Sequence, residues 1–241
     1  PRAVNPVDCP EAEASVFGTL NVARAIAREI RGGKRRVAVD GYAGAPFEAL
    51  RRVLTQQLGG SVSVVDARSL IRKDVEAVVA PYLPEDREID PVLLYGVRYE
   101  GGYAGLQDGA RVDRLRAETG NAATIVIGQG SLAKPLQDAY DLRLWMDITP
   151  RQAALNFKYG RSLNLGCEEA LPYAAMMRRN YYVDFETALD LRWQLLKDGA
   201  LDAYVTADDP DQMVMVPYAA LCKLFDALRQ RPFRCRPVYL E

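Results

Sequence analysis

The sequence predicts a three-layer α/β domain with a mostly parallel central sheet and a helical, lid-like insertion. Short apolar runs such as 37–39 and 124–127 are typical of buried strands, and amphipathic stretches with helical spacing alternate with them. That alternation favours a parallel sheet flanked by helices. The 241 residues are enough for one substantial core, so residues 1–241 are predicted to form a single domain.

Periodicity and proline positions define the individual elements. The first is an amphipathic helix over residues 11–31, because Val16 and Leu20 begin a series of apolar residues at helical spacing. Proline favours the first turn of a helix, so Pro46 and Pro150 mark helix starts. The predicted strands are 37–40, 61–65, 92–95, 124–127 and 142–146. The predicted helices are 47–58, 70–82, 111–118, 150–159, 185–196 and 217–228, and the lid-like segment is 160–182.

Composition excludes several classes of function. The chain has no histidine, which excludes Ser–His–Asp triads and His-ligated metal sites, so no metal site is expected. A net charge of −1 argues against nucleic acid as the main partner. Because no apolar run approaches a membrane span and no secretory pattern is present, no membrane partner is expected and the cytoplasm is the predicted location. The four cysteines are too scattered for a zinc knuckle or a redox pair.

Segment 36–48 has the strand–turn–helix pattern of a phosphate-binding loop. In that loop, G-x-x-x-x-G-K-[ST], backbone N–H groups and a helix N-terminus bind phosphate. Gly41 occupies the first position, but Pro46, Phe47 and Glu48 occupy the last three. Proline has no N–H, phenylalanine carries no charge, and glutamate repels phosphate. The pattern therefore predicts the fold of such a loop without its chemistry.

Residues 124–160, TIVIGQGSLAKPLQDAYDLRLWMDITPRQAALNFKYG, resemble a segment of uridine kinase and phosphoribulokinase-like proteins. Farther along, RRNYYVDFETALDLRWQLLKDGALDAYV and PFRCRPVYLE resemble a narrower group, the kinase-like N-terminal modules of class I mannose-6-phosphate isomerase-like proteins. The resemblance covers most of residues 11–241 and implies a P-loop-kinase-like fold. The isomerase part of those proteins binds metal through histidines that this chain lacks, so isomerase activity is not implied.

The resemblance places candidate ligand contacts at the end of the first predicted strand, where open α/β sheets bind ligands. Asp40 is the candidate substrate-binding residue of this loop. The candidate phosphate-binding residues are Gly41, Ala43, Gly44 and Ala45. The alternative is a tight strand-to-helix connection in which glycine supplies a positive φ.

Asp66 is the candidate catalytic residue, because uridine kinase-like enzymes place a carboxylate at the end of the second strand to accept the substrate hydroxyl's proton. Its alternative role is to cap the following helix. In the related kinases the lid carries cations that stabilise the transferring phosphoryl group. Its counterparts here are Lys158, Arg161, Arg178 and Arg179. Their alternative is a solvated helix face with cations near the helix C-terminus.

Arg98 and Tyr99 are candidate substrate-binding residues, because the related kinases build their acceptor site in the glycine- and tyrosine-rich excursion 96–109. The alternative for the tyrosines is packing of this excursion against the core. Trp145 and Trp193 are both predicted to lie in the core.

The sequence thus predicts a degenerate P-loop-kinase-like domain that binds a sugar phosphate or nucleotide and is linked to carbohydrate metabolism. Phosphoryl transfer depends on the lysine and hydroxyl that the loop lacks. One alternative is an active nucleoside or sugar kinase with Asp66 as base, which would require ATP and magnesium; otherwise the cofactor is unknown. Another is a structural or assembly module of an isomerase. The expected partners are a small phosphorylated ligand, an isomerase-type protein or domain, and a second copy of the chain.

Overall fold

The computed structural model describes residues 9–118 and 122–230, in which seven strands form one mixed sheet. The strands are β1 (Val16–Phe17), β2 (Arg36–Gly41), β3 (Val62–Asp66), β4 (Ala123–Ile127), β5 (Leu142–Asp147), β6 (Ala203–Thr206) and β7 (Val214–Pro217). Their order across the sheet is β1-β7-β6-β5-β2-β4-β3. The five from β3 to β6 run parallel, and β7 and β1 join the β6 edge antiparallel. The prediction of a mostly parallel sheet is confirmed, with 37–39 in its interior.

The α-helices of the described residues connect and cover these strands. They are α1 (Thr19–Arg31), α2 (Phe47–Leu58), α3 (Val75–Val79), α4 (Gly102–Leu106), α5 (Gly109–Ala117), α6 (Lys134–Gln137), α7 (Pro150–Lys158), α8 (Tyr173–Arg179), α9 (Phe185–Lys197) and α10 (Tyr218–Arg229). A π-helical turn (Asn180–Asp184) joins α8 to α9. No helix in this part of the chain combines the length and hydropathy needed to cross a bilayer.

The burial of β2 shows that helices cover both faces of the sheet. Successive side chains of a strand point to opposite faces. Val37, Ala38 and Val39 are all fully buried, so neither face of β2 reaches solvent. On α2, Leu50 and Leu54 are one helical turn apart and fully buried, and each such burial stabilises the fold by roughly 1.5–3 kcal/mol. The arrangement is consistent with a three-layer α/β domain.

Several predicted elements differ from the structure. The predicted helix 11–31 begins only at Thr19, because Gly18 has a φ of 85° and the two residues before it pair with β7. The predicted strand 92–95 is wrong, since those residues form irregular chain in which Leu93 has a φ of 52°. The predicted helix 70–82 shortens to α3, flanked by 3-10 turns. Strands β1, β6 and β7 were missed because they are short.

The two tryptophans differ in their surroundings. Trp145 lies on β5 and is fully buried, as predicted. Trp193 is 69% exposed on α9, so its assignment to the core is wrong. Helical periodicity allows residue 193 to face outward while Leu191 and Leu195 face the core.

The strand order defines one edge of the sheet as the place for a ligand. The chain leaves β2 toward β3 on one side and leaves β5 toward β6 on the other, so the direction of winding reverses at β2. In open α/β sheets, ligands bind outside the carboxyl ends of the strands at such a reversal.

Candidate functional site

A crevice of about 480 Å³ opens at the carboxyl ends of β2, β3 and β4. The crevice lies between the loop after β2 with the start of α2, the ends of β3 and β4 with the residues that follow them, and the segment after α7. The lining of the crevice includes Gly44–Glu48, Arg51, Asp66, Arg68, Ile127–Gln129, Gly160–Leu165 and Cys167.

Three N–H groups in and beside the loop after β2 are already hydrogen-bonded to carbonyl oxygens of the protein. The N–H of Tyr42 donates to the carbonyl oxygen of Met146 on β5 at 2.9 Å. The N–H of Ala45 donates to the Tyr42 carbonyl at 3.0 Å, and that of Phe47 to the Ala45 carbonyl at 2.9 Å. Pro46 has no N–H to offer. These three N–H groups are therefore not free to bind a phosphate.

The two glycines of this loop serve close packing. A Cβ on Gly41 would collide with the carbonyl oxygen of Met146, where β2 and β5 pair. Gly44 has a φ of 89°, and a Cβ there would lie 3.2 Å from the ring of Phe157. Of the predicted phosphate-binding residues in the loop, Gly44 and Ala45 line the crevice. Gly41 and Ala43 are buried outside its lining.

Asp40 is a structural anchor, so its assignment as a substrate-binding residue is corrected. Its carboxylate is fully buried and accepts hydrogen bonds from the backbone N–H groups of Gly41 at 2.7 Å, Gly130 at 3.0 Å and Leu132 at 2.7 Å. Burial raises the pKa of Asp40 to about 7, although these three bonds act to lower it. Asp40 thereby ties the end of β2 to the loop after β4.

Asp66 lines the crevice, and its carboxylate is already engaged. It accepts hydrogen bonds from the Arg68 backbone N–H at 2.9 Å and from the Arg68 guanidinium at 2.6 Å and 2.9 Å. Burial acts to raise the pKa of Asp66, but the bonds and charge of Arg68 outweigh it and the pKa is lowered. The backbone bond caps the 3-10 helix Ala67–Leu70, which is the alternative role predicted for this residue. A carboxylate with a lowered pKa is a weak general base.

Three arginines and two residues with carboxylates line the crevice. Arg51 pairs with Glu48 at 2.6 Å, and Arg68 pairs with Asp66. The two pairs also influence each other. The charge of Arg51 helps to lower the pKa of Asp66, and the charge of Glu48 helps to raise the pKa of Arg68. Arg161 has no carboxylate partner among the described ion pairs. Its guanidinium lies 5.2 Å from the ring centre of Tyr159.

Sequence reasoning found Arg161 and missed the other two arginines. Arg51 lies three residues after Glu48 on α2, and Arg68 lies two residues after the aspartate that ends β3. Acidic and basic residues three apart on a helix face each other, and that spacing is the signal that could have identified Arg51. The two-residue spacing of Asp66 and Arg68 carries no such signal.

Arg178 and Arg179 were predicted to bind phosphate from a lid, but the structure places both in the interior with partners from the protein itself. Both are buried. Arg178 donates to the carbonyl oxygens of Tyr95 at 2.7 Å and Pro84 at 2.6 Å. Arg179 donates to Glu76 and to the carbonyl oxygen of Leu165, and its Nε lies 3.6 Å from the buried carboxylate of Asp184.

The remaining predicted contacts also lie outside the crevice lining. Lys158 is the exposed last residue of α7. Arg98 pairs with Glu186 at 2.8 Å and Asp190 at 2.7 Å on α9. Tyr99 is buried and meets the ring of Tyr82 edge-on at 5.0 Å, a packing contact of the kind that the alternative describes.

A second polar cluster lies at the carboxyl ends of β5 and β6. Asp147 accepts hydrogen bonds from the hydroxyl of Tyr204 and, at 2.8 Å, from the guanidinium of Arg192. Arg192 in turn lies 5.8 Å from the ring centre of Tyr42. Burial, with the nearby Asp147 charge, raises the pKa of Tyr204. The cluster is internally paired and ties α9 to the sheet.

No group of three or more metal-ligating side chains occurs in the parts of the chain that the structure describes.

Comparisons with known proteins identify the family of the chain. No curated protein matches the chain. Residues 18–230 match the family described as a domain of unknown function (DUF8485), and the chain belongs to that family.

Proposed function

We propose that the crevice binds a phosphorylated small molecule, a sugar phosphate or a nucleotide, in a degenerate P-loop-kinase-like domain without ATP-dependent phosphoryl transfer. The observation that carries the proposal is the convergence of Arg51, Arg68 and Arg161 on one crevice at the carboxyl edge of the sheet. Guanidinium groups match the oxygens of phosphate with two parallel hydrogen bonds.

The charges of the crevice suit a ligand that is anionic at one end and hydroxylated at the other. Arg161 is the guanidinium that meets no carboxylate among the described ion pairs, so it is the natural first contact for a phosphate. Glu48 and Asp66 can only accept hydrogen bonds when ionised, and a ligand hydroxyl can supply them. Three cations against two carboxylates leave an excess of one positive charge for the phosphate.

Phosphoryl transfer receives less support than binding. The N–H groups of Tyr42, Ala45 and Phe47 already donate to carbonyl oxygens of the protein. Glu48 stands where a magnesium-binding hydroxyl would be required, and Asp66 is held by Arg68. The kinase alternative, in which Asp66 is the base and ATP and magnesium are bound, therefore requires Glu48 to be released from Arg51 and Asp66 to be released from Arg68.

Isothermal titration of the whole chain with glucose 6-phosphate, AMP and Mg-ATP tests the proposal. We expect glucose 6-phosphate or AMP to bind the wild type, and Arg161→Gln and Arg68→Gln to weaken that binding at least tenfold. Arg24→Gln, on the exposed face of α1, is the matched control and should leave it unchanged. If none of the three ligands binds, or the control weakens binding equally, the proposal is wrong. Micromolar, magnesium-dependent ATP affinity would instead support the kinase alternative.

A further inference from the structure

An apolar surface stands apart from the crevice. Between residues 89 and 97, five apolar side chains are 56–83% exposed. They are Ile89, Val92, Leu94, Tyr95 and Val97. Single exposed apolar residues are common, but a concentration of this kind marks an interaction site. These five side chains are called the 89–97 surface below.

Hydrogen bonds to groups of the protein interior hold the backbone of the segment that carries the 89–97 surface. Arg178 donates to the carbonyl oxygens of Tyr95 and Pro84, and the N–H of Tyr95 donates to the buried carboxylate of Asp90 at 2.7 Å. The N–H of Val97 donates to the carbonyl oxygen of Tyr82 at 2.8 Å. The segment therefore buries the carboxylate of Asp90 and exposes apolar side chains, the reverse of an ordinary surface loop. The five exposed apolar side chains therefore project from a backbone that is held in place by hydrogen bonds.

The size of the 89–97 surface favours a short polypeptide segment over a whole subunit. Nine residues reach at most about 30 Å when fully extended, so the segment that carries the five side chains is short. Functional apolar patches on monomers measure roughly 300–600 Å². A standard protein interface needs about 800 Å² from each partner.

The charges around the 89–97 surface favour a basic occupant. Glu85, Asp86 and Glu88 are exposed at one end, with Arg87 as the single cation among them, and Glu100 is exposed at the other end. Arg98 is already neutralised by two carboxylates on α9, and the guanidinium of Arg178 is buried beneath the segment. A second copy docking through the same surface would oppose like charges, which costs several kcal/mol at an interface.

We propose that the 89–97 surface docks a segment of a partner polypeptide whose apolar side chains are flanked by lysine or arginine. The apolar side chains of the segment cover Val92, Leu94 and Tyr95, and its cations face the acidic rim. This inference does not depend on the function proposed for the crevice.

Fluorescence anisotropy tests the proposal with two labelled synthetic peptides of equal length, one of leucine and lysine and one of leucine and glutamate. We expect the leucine–lysine peptide to bind the wild type and the leucine–glutamate peptide to bind at least tenfold more weakly. The double variant Val92→Ser/Leu94→Ser should weaken the first peptide at least tenfold. Glu85→Lys/Glu88→Lys, which leaves the apolar side chains in place, should weaken it comparably.

Phe225→Ser removes an apolar side chain that is 60% exposed on α10 and serves as the matched control. The control should bind the first peptide with wild-type affinity. The proposal is overturned if neither peptide binds, if all variants bind alike, or if the control loses as much affinity as the double variant. Light scattering of the chain at increasing concentration identifies the other occupant. A dimer abolished by Val92→Ser/Leu94→Ser would show that a second copy covers the surface, contrary to the proposal.

Discussion

Arg68 in the crevice and Arg179 at the end of α8 each pair with a carboxylate, but they differ in exposure. The side chain of Arg68 is 65% exposed, whereas that of Arg179 is 2% exposed. An exposed ion pair contributes about 0–1 kcal/mol, because water already solvates both charges. A buried charge that loses its partner cannot be solvated. The comparison separates arginines available to a ligand from arginines that hold the fold.

The largest effect is expected at the buried end of this comparison. Arg179→Ala leaves Asp184 buried without its cation, and should lower the free energy of unfolding by about 3–5 kcal/mol. Urea denaturation followed by circular dichroism measures this loss. A loss below about 1 kcal/mol would mean that the pair is solvated and that the contrast with Arg68 is wrong.

The two aspartates that end β2 and β3 extend the comparison to pH. The pKa of Asp40 is raised from 3.8 to about 7, so the folded state holds a proton that the unfolded state releases above pH 4. Asp40 should therefore contribute stability that is fully present below pH 4 and is lost as the pH rises toward 7, by up to about 4 kcal/mol. Asp66 has a lowered pKa and should contribute in the opposite direction, losing stability as the pH falls below its ordinary value.

Urea titrations between pH 4 and 8 measure this dependence, and Asp40→Asn is the matched variant because it removes the titrating group. The fall in stability between pH 4 and 7 should be smaller in the variant by the amount that Asp40 contributes. Parallel pH curves for the wild type and the variant would show that Asp40 keeps an ordinary pKa.

A small effect is expected at the exposed end of the arginine comparison. Arg68→Gln should change the free energy of unfolding by less than about 1 kcal/mol, since the guanidinium is solvated and the pair is local. The urea midpoint checks this, with Arg179→Ala measured beside it. If both variants lose similar stability, exposure does not distinguish the two arginines.

The smallest effect is expected at Trp193, which is as exposed as Arg68. Trp193→Phe should change stability by no more than about 0.5 kcal/mol, as is usual for surface substitutions. The remaining fluorescence comes from the buried Trp145 and should be shielded from acrylamide. Emission from the variant that is quenched as readily as the wild type would place Trp145 near solvent.

The sequence predicted the parts of the fold that depend on local pattern. The helix 47–58 agrees with α2 at both ends, because Pro46 marks its start and apolar residues recur along one face. Strands β2 and β4 were found because each contains a continuous apolar run. Residues 92–95 are also apolar, yet they form irregular chain outside the sheet. No local signal distinguishes this apolar run from the runs that form strands.

The candidate site was less predictable, because it depends on tertiary partners. Gly44 and Asp66 line the crevice, and the sequence pattern shows that they lie at or just after strand ends, but their roles there stay predictions. The burial of Arg178 and Arg179 depends on the carbonyl oxygens of Pro84 and Tyr95 and on the carboxylate of Glu76, which lie far away in sequence. No spacing within residues 160–182 encodes those partners.

The pairing of β1 with β7 has a consequence for recombinant fragments of this family. The family match begins at Gly18, just after β1 ends at Phe17. A fragment trimmed to residues 18–230 would remove the two residues that pair with Val214 and Met215. The outer hydrogen-bonding groups of β7 would then be free to recruit a strand from another molecule. Such a fragment should aggregate more readily than one that begins before Val16.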